Sequence, residues 1–156
     1  MNGETFEVFK ELQKNGRIQL QRIYNLQGEL LFHCARYGGS GQSFTTEREL
    51  YAYCEGRGWF KRSENPYYAR NCGINLMYDY YPIVKEENFD YADNAKLQII
   101  TFKVSERISF DLYCCLYRGK RQYYETKAEV YAYCQGKKII NGSENYFINP
   151  HLRQKA

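Results

Sequence analysis

The stretch Tyr51-Ala52-Tyr53-Cys54 returns 80 residues later as Tyr131-Ala132-Tyr133-Cys134. The same shift aligns Ser63-Glu64-Asn65 with Ser143-Glu144-Asn145, and 14 of the 32 residues in 34–65 are identical to their partners in 114–145. Identity at one fixed spacing is the signature of an internal repeat. The sequence therefore predicts a tandem duplication whose two copies share one arrangement of strands and helices.

Each copy has the pattern of three strands followed by one helix. Alternating apolar and polar residues predict the strands, at 18–24, 30–37 and 42–45 in copy one and at 97–104, 108–117 and 122–125 in copy two. Thr46 and Thr126 are placed to cap the helices, with Glu49 and Glu129 at the capping-box position. Gly56 and Gly136 are the expected helix ends. The predicted fold is α+β, with two three-stranded antiparallel sheets, each covered by one helix, related by a pseudo-two-fold axis.

The repeat also predicts the domain organisation. The first copy spans residues 1–73 and begins with a short amphipathic helix over 5–13, because Phe6, Phe9 and Leu12 recur every three residues. Residues 74–94 are predicted to be an ordered connector, and the second copy spans residues 95–156.

Alternation along the second strand of each copy predicts which side meets the helix. The core side is assigned to Phe32 and Cys34 in copy one and to Leu112 and Cys114 in copy two. The opposite, outward side carries two larger sets of residues, namely His33, Ala35 and Tyr37, and Tyr113, Cys115 and Tyr117. Of the six cysteines, Cys34 and Cys114 are expected to meet Cys54 and Cys134 in the core as free thiols. A disulfide and a metal site are the alternatives, although no short C-x-x-C spacing occurs.

Composition and motifs limit the possible classes of protein. The chain has 17 tyrosines, nine phenylalanines and a net charge of +4, and it contains no run of 18 apolar residues. We expect a cytoplasmic protein that does not contact membranes. The only histidines are His33 and His151, neither of which is matched by histidine in the other copy, and no nucleotide-binding glycine motif is present. The sequence therefore predicts no enzymatic activity, no cofactor and no metal.

Basic residues concentrate in copy two, where residues 95–121 hold six basic side chains against two acidic ones. Cations attract phosphates, and arginines and aromatic residues on a sheet can read base edges. The candidate binding residues lie on the outward strand side, in the hairpin turns and after the helix: Arg107, Tyr113, Tyr117, Arg118, Lys120, Arg121, Lys137 and Lys138.

The run from Tyr124 to Val130, with its counterpart from Phe44 to Leu50, resembles the strand-to-helix junction of three-stranded DNA-binding modules. These modules occur in plant AP2 factors and in the arm-binding domains of tyrosine integrases. The resemblance covers about 40 residues per copy. It implies a sheet that lies in the major groove, with five contact residues: Tyr113, Tyr117, Arg118, Lys120 and Arg121.

The leading functional prediction is non-enzymatic binding of nucleic acid, with duplex DNA as the partner. The alternative is a protein-interaction module, such as an inhibitor or accessory factor encoded by a phage or mobile element, which would bind a host protein through exposed tyrosines. A third hypothesis is a small ligand bound in the cleft between the copies.

Overall fold

Two four-stranded antiparallel sheets, each with one helix, make up the protein. The computed structural model describes residues 4–13, 16–67 and 81–147. Sheet one has the order β1-β2-β3-β4, formed by β1 (Thr5–Gln13), β2 (Arg17–Tyr24), β3 (Leu30–Tyr37) and β4 (Ser40–Phe44). Helix α1 (Glu47–Gly56) follows, and then a short 3-10 helix (Arg62–Glu64).

Copy two repeats the same order. Sheet two is formed by β5 (Ile83–Ala92), β6 (Ala95–Lys103), β7 (Ser109–Tyr117) and β8 (Lys120–Tyr124), in the order β5-β6-β7-β8. Helix α2 (Lys127–Gly136) and a second 3-10 helix (Gly142–Glu144) complete the copy. The fold is therefore α+β and duplicated, as predicted, but each sheet has four strands rather than three.

The fourth strand of each sheet comes from a segment that the sequence pattern does not identify as a strand. Residues 5–13 form β1 and not the predicted helix. A β-bulge between Val8 and Lys10 leaves Phe9 unpaired, so that Phe9 and Leu12 point to one side of the sheet although they are three residues apart. That spacing imitates helical periodicity.

The predicted connector, residues 74–94, likewise contains β5. Two further bulges, between Ile83 and Lys85 and between Asn88 and Asp90, interrupt its alternation. Residues 74–80 of that range lie outside the described residues.

The helices pack on the side of the sheets opposite to the predicted one. Cys115 lies with its Sγ 3.6 Å from Sγ of Cys134 on α2. Phe44, opposite His33 in the β3–β4 register, packs against Tyr53 of α1 at 5.2 Å between ring centroids. The helix face of each sheet therefore carries Ala35 and Cys115, whereas Cys34 and Cys114 lie on the outer face. The prediction that Cys34 and Cys114 meet the helix cysteines is wrong.

The error has a physical cause, because both faces of each sheet are buried. On the outer face, Ile23, Phe32 and Cys34 are as hidden as the residues beneath the helix, and so are Ile100, Leu112 and Cys114 in copy two. Alternation of apolar and polar residues identifies the buried face of a strand only when the other face is exposed. The central strands of these sheets have no exposed face.

The two helices lie side by side and run in the same direction. At their N-terminal ends, Arg48 of α1 forms ion pairs with Glu125 and Glu129, at 3.1 and 3.5 Å. At their C-terminal ends, Gly56 and Gly136 meet so closely that an added β-carbon would lie 2.3 and 2.2 Å from the carbonyl oxygens of Tyr133 and Tyr53. This helix pair joins the two copies into one core.

Neither helix within the described parts of the chain is long and apolar enough to cross a membrane.

Candidate functional site

The helix C-termini and the adjacent hairpin turn place several cations at one end of the molecule. Arg57 and Lys137 are the C-cap residues of α1 and α2, and the close approach of Gly56 and Gly136 brings them near each other. The β7–β8 turn holds Arg118 and leads into Lys120. It lies at the same end because Cys115, three residues before Arg118, contacts Cys134, three residues before Lys137. We call the set Arg57, Arg118, Lys120, Lys137 and Lys138 the basic end.

Five of the eight predicted binding residues belong to this end or lie directly against it. Arg118, Lys120, Lys137 and Lys138 are exposed, and the guanidinium of Arg118 lies over the Tyr117 ring at 5.1 Å from its centroid. Arg57 was not predicted as a binding residue. Its match with Lys137 at a spacing of 80 was the signal that could have identified it.

The structure separates the other three predicted residues from the basic end. Arg107 is in the β6–β7 turn, at the opposite end of β7 from Arg118, a separation of about 30 Å for nine strand residues. Arg121 forms an ion pair with Glu86 at 2.9 Å. Tyr113 lies on the helix face, where its ring contacts Phe89, so it is not presented on an open sheet surface.

Two of these cations have a backbone conformation that lysine and arginine rarely adopt. Arg118 has φ of +53° and Lys138 has φ of +66°, both in the left-handed region. At the matching positions copy one has Gly38 and Gly58, with φ of +61° and +81°. Copy two thus carries a cation at two places where the backbone favours glycine.

Helix electrostatics account for part of this charge. A helix C-terminus carries partial negative charge, and parallel packing places two such ends together, so cations at Arg57 and Lys137 stabilise the fold. Arg118 lies in a hairpin turn rather than at a helix end. Stabilisation of the helices therefore explains the C-cap cations but not the arginine in the turn.

Beside the basic end, a cavity of about 660 Å³ opens between the copies. Copy one contributes Gln42, Tyr53 and Arg57 to its wall, and copy two contributes residues that include Gln135 and Lys138. The Arg57 guanidinium is held against the Trp59 ring at 4.8 Å from the centroid, which fixes its position at the edge of the cavity.

The candidate catalytic groups are buried and have pKa values that oppose ionisation. Burial lowers the pKa of His33, and burial raises the pKa of Cys34. Cys54, Cys114, Cys115 and Cys134 are also free and buried. A thiol with a raised pKa is a poor nucleophile. Among the described residues, no group of three potential ligands could hold a metal ion. His151 and Cys72 lie outside the described residues.

In comparisons with protein families, curated proteins and solved structures, no family model, protein or structure matches this chain. The resemblance to three-stranded DNA-binding modules, carried by the strand-to-helix junctions, remains a prediction.

Proposed function

We propose that this protein binds duplex DNA through the phosphate backbone, using the basic end. The hairpin turn and the residues after α2 supply the cations, in keeping with a binding role for copy two. The sheet surfaces play no direct part in this proposal, because the helix lies against Tyr113 and Cys115 and the outer face is buried as well.

The left-handed conformations of Arg118 and Lys138 carry the proposal. For residues other than glycine, asparagine and aspartate, this region costs about 1–2 kcal/mol per residue. The β5–β6 turn has the same backbone conformation but uses Asp93 and Asn94, which tolerate it. Unusual backbone conformations persist where function requires the side chain. Copy one, with glycine at both matching positions, shows that the fold itself does not need these cations.

The affinity of this kind of binding depends on charge more than on base sequence. Contacts to phosphates position a protein on DNA without selecting a sequence, and each neutralised phosphate adds about 0.9 to the slope of log affinity against log salt concentration. We therefore expect an affinity that falls steeply between low and physiological salt.

The test exchanges the strained cations for the residues of copy one, as the double variant R118G/K138G. Its affinity for duplex DNA should fall at least tenfold at low salt, and its salt slope should decrease by about two. Its stability should stay the same or rise, because glycine relieves the left-handed strain at both positions. Electrophoretic mobility shifts and urea unfolding measure the two effects.

The matched control is K85Q/K103Q, which removes two positive charges at the opposite end of sheet two. Lys85 and Lys103 form exposed ion pairs with Glu87 and Glu106, which contribute little to stability. This control should bind duplex DNA within twofold of the parent. The proposal fails if R118G/K138G binds as the parent does, or if both double variants weaken binding equally.

Exposed side chains at other places favour a second candidate function, the binding of a host protein. Leu26 is 77% exposed and Phe6 is 64% exposed near the β2–β3 turn, and the rings of Tyr91 and Tyr146 are 65% and 70% exposed. Tyrosine is enriched among the few residues that carry most of the binding energy of protein interfaces. A partner retained after nuclease treatment by the parent, and lost by Y91S/Y146S, would support this candidate. Retention by both proteins would count against it.

A further inference from the structure

The two junctions between the copies differ, although the repeat relates them. In the first junction, the Glu55 carboxylate accepts hydrogen bonds from Asn65 Nδ2 at 2.7 Å and from Gln122 Nε2 at 2.6 Å. Arg62 is near enough that its charge helps to lower the pKa of Glu55 against the larger, opposing effect of burial. Side chains from both copies close this junction.

The second junction has a glycine where the first has Arg62. The repeat spacing of 80 relates Arg62 to Gly142 and Glu55 to Gln135. It also relates Gln122 of the first junction to Gln42 of the second. Gln135 keeps the bond from Asn145 Nδ2, at 3.1 Å. In the described chain, however, no hydrogen bond that corresponds to Gln122–Glu55 joins Gln42 to Gln135.

Glycine at position 142 leaves room beside two side-chain amides of this junction. A β-carbon added at Gly142 would lie 3.4 Å from Gln135 Nε2 and 4.0 Å from Gln42 Oε1, and all three residues line the cavity of about 660 Å³. Gly142 therefore presents no side chain to the cavity, whereas the matching position of copy one carries an arginine. Its volume lies within the range of about 300–1,000 Å³ that is typical of ligand sites.

The groups around this cavity have the chemistry of a nucleotide site. Arg57 and Lys138 provide two cations for a phosphate. The side-chain amides of Gln42, Gln135 and Asn141 offer donors to the edge of a base, and Oε1 of Gln42 offers an acceptor. Oε1 of Gln135 and Oδ1 of Asn141 already accept hydrogen bonds from Asn145 and Ser143. Asp93 adds an acceptor for a sugar hydroxyl or a base amino group.

We propose that the cavity between the copies binds a single nucleotide, either free or as an unpaired nucleotide within a strand. Single-stranded nucleic acids are recognised in this way, with the base turned out and bonded along its edge. This site shares Arg57 and Lys138 with the basic end, but it does not include Arg118 of the hairpin turn.

The variant G142R tests the proposal because it restores the residue of copy one. Gly142 has ordinary van der Waals contacts and a backbone that other residues adopt, and Arg62 occupies the same 3-10 helix position in copy one, so the variant should fold. The parent should bind deoxynucleoside 5′-monophosphates with one-to-one stoichiometry in calorimetric titration. G142R should bind them at least tenfold more weakly, and inorganic phosphate should bind the parent at least tenfold more weakly than the nucleotides do.

A single-stranded oligonucleotide distinguishes the two sources of the ligand. Tighter binding of the oligonucleotide than of the monophosphates would assign the site to a strand, and equal or weaker binding would assign it to a free nucleotide; both outcomes support the proposal. Absence of one-to-one nucleotide binding by the parent at millimolar concentration overturns it, and so does unchanged nucleotide binding by G142R.

Failure of this proposal can be told apart from failure of the duplex-binding proposal. G142R adds a cation, so it should keep or increase the affinity for duplex DNA. The single variant R118G should weaken duplex binding and leave nucleotide binding unchanged.

Discussion

Glu55 is a carboxylate enclosed at the junction between the two copies. Burial raises the pKa of Glu55 to about 7, although hydrogen bonds from Asn65, Tyr124 and Gln122 oppose the shift. The matching residue in copy two is Gln135, which has no charge to bury. The two copies thus provide an ionisable and a non-ionisable version of the same position.

The raised pKa of Glu55 makes stability depend on pH. The folded protein holds the proton up to about pH 7, whereas the unfolded chain loses it near the ordinary glutamate pKa of 4.5. The folded state therefore binds more protons between these two values, and the contribution of Glu55 to stability decreases as the pH rises through this window. Below pH 4.5 both states are protonated and the dependence ends.

The variant E55Q removes this titration and should change the pH profile. Relative to the parent, its free energy of unfolding should increase by about 3 kcal/mol between pH 4.5 and pH 8, following 1.36 kcal/mol per pKa unit. Urea unfolding of both proteins across this range measures the difference. A difference that stays constant with pH would show that Glu55 titrates normally in the folded protein.

At the scale of secondary structure, the contact between α1 and α2 depends on two glycines. Gly56 and Gly136 lie within their helices and have no positive φ, so their role is close approach rather than a left-handed helix end. Only a residue without a β-carbon allows each helix to meet the carbonyl oxygens of the other, at Tyr133 and Tyr53. The residue with positive φ after α1 is Gly58.

Gly56→Ala should therefore destabilise the protein even though alanine favours helices. The new β-carbon would meet backbone atoms, which cannot rotate away as a side chain can, and overpacking of this kind costs about 3 kcal/mol. That cost exceeds the gain of about 1 kcal/mol in helix propensity. Urea unfolding should show the loss.

Gly39→Ala serves as the control for this prediction, since a β-carbon there would have no neighbour within 4 Å and Gly39 has no positive φ. Its stability should be within about 0.5 kcal/mol of the parent. If Gly56→Ala is equally harmless, the helices do not pack as closely as described.

At the scale of the whole molecule, the helix pair connects both sheets. Each sheet packs its helix face on one helix, as the contacts Phe44–Tyr53 and Tyr124–Tyr133 show at 5.2 and 5.8 Å between ring centroids. Since the helices also pack on each other, neither copy can lose its helix without exposing the core of the other. We expect the two copies to unfold together.

Trp59 allows this cooperativity to be measured, because the only tryptophan lies in copy one. Unfolding followed by its fluorescence reports on copy one, whereas far-ultraviolet circular dichroism reports on both copies. The two transitions should coincide in urea, as a two-state transition requires. Separate midpoints would show that the copies are independent units.

The sequence alone determined the features that depend on short-range chemistry. The repeat, the hairpin turns and the capping boxes at Thr46 and Thr126 were predicted, and both caps form, with the threonine hydroxyls accepting from Glu49 and Glu129 backbone nitrogens. Of the basic end, the sequence indicated every residue except Arg57. These features are set by neighbours in the chain, so local patterns report them.

Tertiary structure decided what neighbours in the chain do not encode. Bulges prevent the recognition of β1 and β5 from the sequence, because an extra residue disrupts the alternation of apolar and polar residues that identifies a strand. The side on which each helix packs could not be read from Cys114-Cys115, since both residues are buried. The cavity between the copies is lined by Gln42, Gln135 and Gly142, which the fold brings together from distant parts of the chain. Each of these features depends on which surfaces pack together in three dimensions. The pattern of residues along one strand does not show which helix or sheet packs against that strand.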